Sequence, residues 1–135
     1  MKDSGIVAKN WNLLKLQRYQ QFDPDARVRL GLPDWNSVKL CGTLYDHHTP
    51  ANEYLSLYAA QYDSVEYEAS FFEAPSPEDM QDLRSEVESI NPDFQFCPTI
   101  PRRISHEFEL GTNHYDQEDF LESIEELGKH LGPCI

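Results

Sequence analysis

The chain has 135 residues, and its 24 acidic and 11 basic side chains give a formal net charge of −13. One domain is expected at this length, and a hydrophobic fraction of 39% with seven Tyr and seven Phe is enough for a core. The negative charge repels phosphate polyanions and therefore disfavours nucleic acid as a partner. No apolar run reaches the roughly 20 residues needed to span a bilayer, and the N-terminus lacks the apolar segment of a signal peptide. We therefore expect a cytoplasmic protein with no membrane partner.

The three cysteines, Cys41, Cys97 and Cys134, are odd in number, far apart and without a C-x-x-C pair. This spacing predicts neither a disulfide framework nor a zinc finger, and it fits a reducing compartment. His47 and His48 lack the i, i+4 spacing of a helical metal site. These cysteines and histidines therefore predict no metal site, and the sequence points to no particular cofactor.

The first half of the chain divides at a turn. Residues 1–26 carry a weak helical pattern that ends at the Asp23-Pro24-Asp25 turn signal, and we interpret them as an N-terminal extension. Alternating apolar residues over 28–32 predict a first strand. Thr49 followed by Pro50 is typical of a helix start, and apolar residues at helical spacing extend that helix to Tyr62.

The second half repeats the strand–helix alternation. Residues 64–72 are rich in β-branched and aromatic side chains and predict a second strand. Ser76 then begins a helix that runs to Ile90. Residues 94–98 predict a third strand, and 117–131 predict a third helix that Gly132-Pro133 stops. Glu126 and His130 have i, i+4 spacing on that helix, and we interpret them as a solvated pair on its charged face.

Strands that alternate with helices predict an α/β fold with a parallel sheet. Cys134-Ile135 would begin a fourth strand after three strand–helix units. A closed eight-unit barrel needs about 250 residues. The prediction is therefore the N-terminal portion of a TIM-like (β/α) barrel over residues 27–135, with about half of the barrel missing.

Three stretches carry a resemblance to a known family. They are G-L-P-D-W at Gly31–Trp35, the segment from Tyr58 to Glu78 that contains V-E-Y-E and A-P-S-P-E, and F-Q-F-C-P-T-I-P-R-R-I-S-H at Phe94–His106. Together they resemble the YecE-like family, known as domain of unknown function 72, whose members look like variants of the (β/α) barrel. The chain has Glu68 where the family usually has Asn, and Thr99 where it usually has Lys. The resemblance implies a fold, and no reaction is settled for the family.

In barrels of this kind the chemistry lies where strands end and the following loops begin. Glu66 and Glu68 are two apart on a predicted strand, so both carboxylates would share one face, as an acid–base pair, as ligands of a hard cation, or as structural partners of Arg102 or Arg103. His106 would transfer protons, or be a hydrogen-bonded loop residue. The two arginines would hold an anionic group. The predicted site has Glu66 and His106 as catalytic residues and Trp35, Glu68, Phe72, Thr99, Arg102 and Arg103 as ligand-binding residues.

Three functional interpretations follow. The first is an enzyme or enzyme remnant that acts on a small polar or anionic ligand at the carboxyl ends of the strands. The second is a non-catalytic binding or oligomerising part-barrel, in which a homo-oligomer covers the open sheet edge. The third is a nucleic-acid processing barrel, against which the acidic composition weighs.

Overall fold

The computed structural model describes residues 28–107 and 114–135. The predicted extension at residues 1–26 lies outside them. Short 3-10 turns at Val38–Leu40, Ala51–Glu53 and Gly128–His130 and a π-helical turn at Arg103–Glu107 accompany the main elements. The strands and α-helices are, in chain order, β1 (Gly31–Leu32), α1 (Tyr54–Ala59), β2 (Ser64–Tyr67), α2 (Ala69–Phe72), α3 (Pro77–Glu88), β3 (Gln95–Pro98) and α4 (His114–Glu125).

The three strands form one parallel sheet in the order β1-β2-β3. Leu32 is paired with Val65, and Val65 with Phe96. The helices that follow β1 and β2 return the chain to the start of the next strand, as parallel pairing requires. The predicted α/β class with a parallel sheet is confirmed.

One face of this sheet packs against the helices. Val65 and Phe96 are buried there with Tyr58 of α1 and with Met80 and Val87 of α3. Helix α3 begins as predicted, because the Ser76 hydroxyl accepts a hydrogen bond from the Asp79 amide. The opposite face of β2 and β3 carries half-buried side chains, which are Ser64, Glu66, Gln95 and Cys97.

The first two strands are shorter than predicted. Only Gly31–Leu32 of residues 28–32 is a strand, and β2 ends at Tyr67 instead of Phe72. Glu68 has helical backbone angles, φ −66° and ψ −24°. The β2–β3 ladder stops at Tyr67 opposite Pro98. The Thr99 amide still donates to the Tyr67 carbonyl at 3.3 Å, so the pairing ends because Glu68 leaves the extended conformation. The strand prediction over residues 68–72 is therefore wrong, and those residues turn into α2.

The third helix is also different from its prediction. It begins at His114, ends at Glu125, and is followed by Gly128 with φ of +55°, so this glycine turns the chain before Gly132-Pro133. His130 then lies in a 3-10 turn and is fully buried. The interpretation of His130 as part of a solvated pair is wrong.

Residues 131–135, called the C-terminal segment below, run beside β3. Leu131 forms a parallel bridge with Phe96. The Gly132 amide donates to the Phe96 carbonyl at 2.7 Å, and the Ile135 amide donates to the Pro98 carbonyl at 2.9 Å. The segment thus occupies the position that we predicted for the start of a fourth strand. Within the described residues, no helix is long and apolar enough to cross a bilayer.

Candidate functional site

A cleft of about 390 Å³ opens at the carboxyl edge of the sheet, and we call it the edge cleft. Residues after β1 and residues at the end of β2 form its walls. Its lining includes four of the predicted site residues, Trp35, Glu66, Glu68 and Phe72, together with Asp34, Asn36, Tyr67 and Ala69. The strand ends therefore bring half of the predicted site together.

Glu66 is placed in the edge cleft by strand alternation. Its neighbour Val65 points into the core, so the Glu66 side chain emerges on the opposite face and is only half-buried. The Thr99 hydroxyl donates to Glu66 Oε1 at 3.4 Å. This bond is long and therefore weak, and it leaves acceptor positions on the carboxylate for a ligand.

Glu68 reaches the same cleft by a different route. Because β2 ends at Tyr67, the prediction that strand alternation places Glu66 and Glu68 on one face is wrong. Glu68 is exposed at the start of α2, and the turn into that helix returns it to the cleft. The Ser70 Oγ atom supports this turn, because it lies 2.7 Å from the Tyr67 carbonyl oxygen and 2.6 Å from that of Thr99.

Aromatic rings form one wall of the edge cleft. Trp35 stacks on Tyr67 with ring centroids 5.7 Å apart, and it meets the edge of Phe96 at 5.9 Å. Burial raises the pKa of Tyr67, so its hydroxyl stays protonated at neutral pH. Phe72, by contrast, is 77% exposed. Trp35 is therefore held by the core while it lines the cleft, and Phe72 offers a ring to solvent.

Sequence reasoning missed Asp34 and Asn36. Asp34 Oδ1 accepts a hydrogen bond from the Asn36 amide at 2.7 Å, which makes a tight turn directly after β1. The signal was present, since Pro33-Asp34 follows the predicted first strand. The charged residues that line the cleft are all acidic, namely Asp34, Glu66 and Glu68. Among the described residues, no group of three or more His, Cys, Asp or Glu side chains is arranged to hold a metal ion.

The remaining predicted residues lie elsewhere. A second cleft of about 300 Å³ is lined by Arg103 and Asp116, whose Nε and Oδ2 atoms form an ion pair at 2.9 Å. His106 is exposed, with its ring against Phe71 at a centroid distance of 5.6 Å. Its Nδ1 lies 2.7 Å from the Ser105 hydroxyl oxygen. His106 and the exposed Arg102 line neither of these two clefts, so neither cleft brings Glu66 and His106 together.

The parallel strands and their helices define an α/β protein, and comparison with known proteins gives its family. The family described as protein of unknown function DUF72 matches residues 29–135, and the chain belongs to it. No curated protein matches the chain.

Two crystal structures of a DUF72 family protein from Enterococcus faecalis V583 are similar to this chain. One has a TM-score of 0.59 and 21% sequence identity, and the similarity covers 78% of this chain and 37% of that one. The other has a TM-score of 0.46 and 19% identity, with 76% and 33% covered. At such identities the first structure shows a shared fold alone. The chain spans about a third of the length of these solved relatives.

Proposed function

We propose that residues 27–135 form the N-terminal part of a (β/α)-barrel enzyme, or of an enzyme remnant, whose edge cleft binds a small polar ligand. The order β1-β2-β3 supports a barrel, because a sheet wound in one direction keeps its strands in chain order, whereas a doubly wound sheet reverses at a switch point. The helices share one face of the sheet, as they do around a barrel. Residues 1–26 are in this proposal an extension, and the location is cytoplasmic.

The observation that carries the proposal is the position of Glu66. It is a half-buried carboxylate at the carboxyl edge of a parallel sheet, beside the Thr99 hydroxyl and in a cleft walled by Trp35. A carboxylate so placed is suited to general acid–base chemistry. His106 is the proposed second proton-transfer group. It contacts Phe71, whose neighbour Phe72 lines both clefts.

The lining of the edge cleft favours a neutral polar or cationic ligand. Asp34, Glu66 and Glu68 repel anions, and carboxylates accept hydrogen bonds from hydroxyl and ammonium groups. The Trp35 and Phe72 rings add apolar surface and attract cations. The anionic alternative depends on Arg102 and Arg103, which line no part of the edge cleft.

Thermal unfolding with added ligands tests this proposal. The probes are maltose as a neutral polyol, spermidine as a polycation and inorganic phosphate as an anion. We expect maltose or spermidine, and not phosphate, to raise the melting temperature, because only ligands that bind the folded state stabilise it. The rise should disappear in Glu66→Gln and decrease in His106→Ala. The matched control is Glu118→Gln, which removes an exposed carboxylate from α4.

The result that would overturn the proposal is equally specific. An equal response of the native chain and Glu66→Gln to all three probes would remove Glu66 from the site. A rise with phosphate alone would move the ligand to the arginines.

A second candidate function is oligomerisation without catalysis. The sheet face that carries Ser64, Glu66, Gln95 and Cys97 is half-buried, and a second copy of the chain would cover it. Light scattering tests this candidate function. A dimer that the Gln95→Arg substitution converts to monomers would support oligomerisation, and a monomer at all concentrations would reject it. Nucleic-acid processing is the third candidate, and the net charge of −13 opposes it.

A further inference from the structure

We propose that the ligand of the edge cleft is a linear polyamine that extends across Phe72 into the second cleft. The second cleft is the one of about 300 Å³ that Arg103 and Asp116 line. This ligand class rests on the proposed function, because it concerns the same site. It restricts the ligand to a cation with separated charges, and it adds a second set of contacts.

The Phe72 side chain is shared by the two clefts. It lines the edge cleft with Glu66 and the second cleft with Ile104, so the two clefts adjoin at this residue. The side chain is 77% exposed, and its ring meets that of Phe71 edge to face at a centroid distance of 5.3 Å. A ligand in either cleft can therefore contact the Phe72 ring, and a long ligand can pass over it.

Carboxylates line both clefts. There are three in each among the described residues, namely Asp34, Glu66 and Glu68 in the edge cleft and Glu73, Asp116 and Asp119 in the second. Arg103 is the one basic side chain among these lining residues, and it pairs with Asp116 at 2.9 Å. A molecule that spans the two clefts thus meets six acidic side chains and one basic side chain. Such a lining attracts cations and repels anions.

The apolar part of the lining suits the methylene segments of a polyamine. Pro101 and Ile104 are buried and form part of the second cleft, next to the exposed Phe72 ring. An ammonium group within about 6 Å of a ring centroid is attracted by the ring, and methylene groups lose contact with water against it. Carboxylates on either side of an aromatic ring therefore match ammonium groups joined by methylene chains. A neutral polyol gains no attraction from the net charge of this lining.

Helix α4 places Asp119 at the second cleft. Asp116 and Asp119 are three positions apart, so they share one face of the helix. Asp119 is exposed, whereas the next residue, Phe120, is buried against Ile104. The preceding residue, Glu118, is also exposed and lines neither cleft. Asp119 and Glu118 are therefore a matched pair for mutation.

Calorimetric titration with amines of different shape tests the proposal. Spermidine is compared with 1,4-diaminobutane, which lacks its aminopropyl extension, and with hexaamminecobalt(III), a compact ion of the same charge. The titrations are made in about 0.15 M salt, where charges more than about 8 Å apart are largely screened. We expect spermidine to bind at least about tenfold more tightly than either comparison ion, because it alone reaches both clefts.

Substitutions in each cleft locate the two ends of the ligand. We expect Phe72→Ala and Asp119→Asn each to weaken spermidine binding by about two- to fivefold. Asp119→Asn should leave the affinity for 1,4-diaminobutane unchanged, and Glu118→Gln, the matched control, should leave both affinities unchanged. Glu66→Gln should weaken both amines, because both occupy the edge cleft.

The results that would overturn the proposal are distinct from those that would overturn the proposed function. Hexaamminecobalt(III) binding as tightly as spermidine would show attraction by charge alone. Spermidine binding that depends on Glu66 but not on Phe72 or Asp119 would confine the ligand to the edge cleft, and Glu66-dependent binding of maltose without any amine would make the ligand neutral. Each of these three results rejects the polyamine and retains the proposed function. Only the absence of Glu66-dependent binding of maltose and of every amine would reject both.

Discussion

His130 joins two parts of the chain through both of its ring nitrogens. Nδ1 lies 2.7 Å from the Phe94 carbonyl oxygen, and Nε2 lies 2.5 Å from Glu88 Oε2. Both partners are oxygen acceptors, so each hydrogen bond is one that a ring N–H can donate. We expect His130→Ala to lower the free energy of unfolding by about 2–4 kcal/mol, because it leaves a cavity and an unpaired carbonyl. Urea unfolding measures this, with the exposed His48→Ala as control. A loss equal to that of the control would contradict this role.

The Glu88 carboxyl makes the stability of the folded chain depend on pH, and the direction of this dependence follows from its pKa. Lys129 first and His130 second lower the pKa of this carboxyl below its ordinary value. The stabilisation is therefore present above the unfolded-state pKa, about 4.3, and is lost as the pH falls through the lower folded value. We expect the difference in free energy of unfolding between the native protein and Glu88→Gln to shrink as the pH is lowered from 6 to 3. Urea unfolding at each pH measures this difference. A difference that stays constant over this range would contradict the assignment, and Asp82→Asn on the same helix provides the comparison.

The His130 contact also marks a limit of sequence reasoning at the scale of single residues. Its helical spacing from Glu126 suggested a local pair, but its partner Glu88 lies 42 positions away. A local pattern carries no information on such a contact. The solvated-face interpretation failed because the turn at Gly128 redirects His130 into the interior.

At the scale of elements, Ser70 joins α2 to the ends of two strands. It is fully buried, and its hydroxyl oxygen lies within hydrogen-bonding distance of the Tyr67 and Thr99 carbonyl oxygens, so its single hydrogen is donated to one of these two acceptors. We expect Ser70→Ala to lower the free energy of unfolding by about 1–3 kcal/mol, because the buried hydrogen bond from the Ser70 hydroxyl is lost. Chemical denaturation measures the loss. Ser85→Ala is the matched control, since the Ser85 hydroxyl bonds to a carbonyl of its own exposed helix face. Equal losses in the two variants would refute the role of Ser70.

The contact between β1 and β2 requires glycine at position 31. A Cβ atom on Gly31 would lie 2.1 Å from the Ser64 carbonyl oxygen, so no side chain fits without separating the strands. We expect Gly31→Ala to cost more than about 2 kcal/mol and to lower the melting temperature sharply. Gly128→Ser provides a comparison, because a Cβ atom there would meet only the Arg84 side chain at an ordinary contact distance of 3.7 Å, and the φ of +55° alone opposes a side chain. A fully stable Gly31→Ala would show that β1 does not pair with β2 in this way.

The sequence predicted the type of most strands and helices, but it did not predict the residues at which they end. Ser76 begins α3 as expected, because an N-cap is a local signal. The aromatic run at Phe71 and Phe72 predicted a strand, yet the sheet stops where Pro98 ends the neighbouring strand. Tertiary pairing therefore overrode a local preference.

At the scale of the whole molecule, one general rule predicted part of the candidate site. Loops at the carboxyl ends of parallel strands meet at one edge of the sheet, and this rule correctly predicted that Trp35, Glu66 and Glu68 line one cleft. It was not enough to place His106, which follows β3 through a π-helical turn whose direction no sequence pattern specified. Asp34 was overlooked because an Asp after Pro is ordinarily a turn residue. The candidate site was thus predictable where strand ends determine it, and not where loops do.

The most direct test of the edge cleft uses Trp35 as a reporter. The chain has two tryptophans, so Trp11→Phe leaves Trp35 alone, stacked on Tyr67 at the cleft wall. This variant is titrated with maltose and with spermidine while tryptophan fluorescence is recorded, and the titration is repeated with Glu66→Gln added. We predict a saturable fluorescence change with one of these probes that Glu66→Gln abolishes. Two results would contradict a ligand site built on Glu66. One is a fluorescence that neither probe changes, and the other is binding of a probe with the same affinity in the presence and absence of Glu66→Gln.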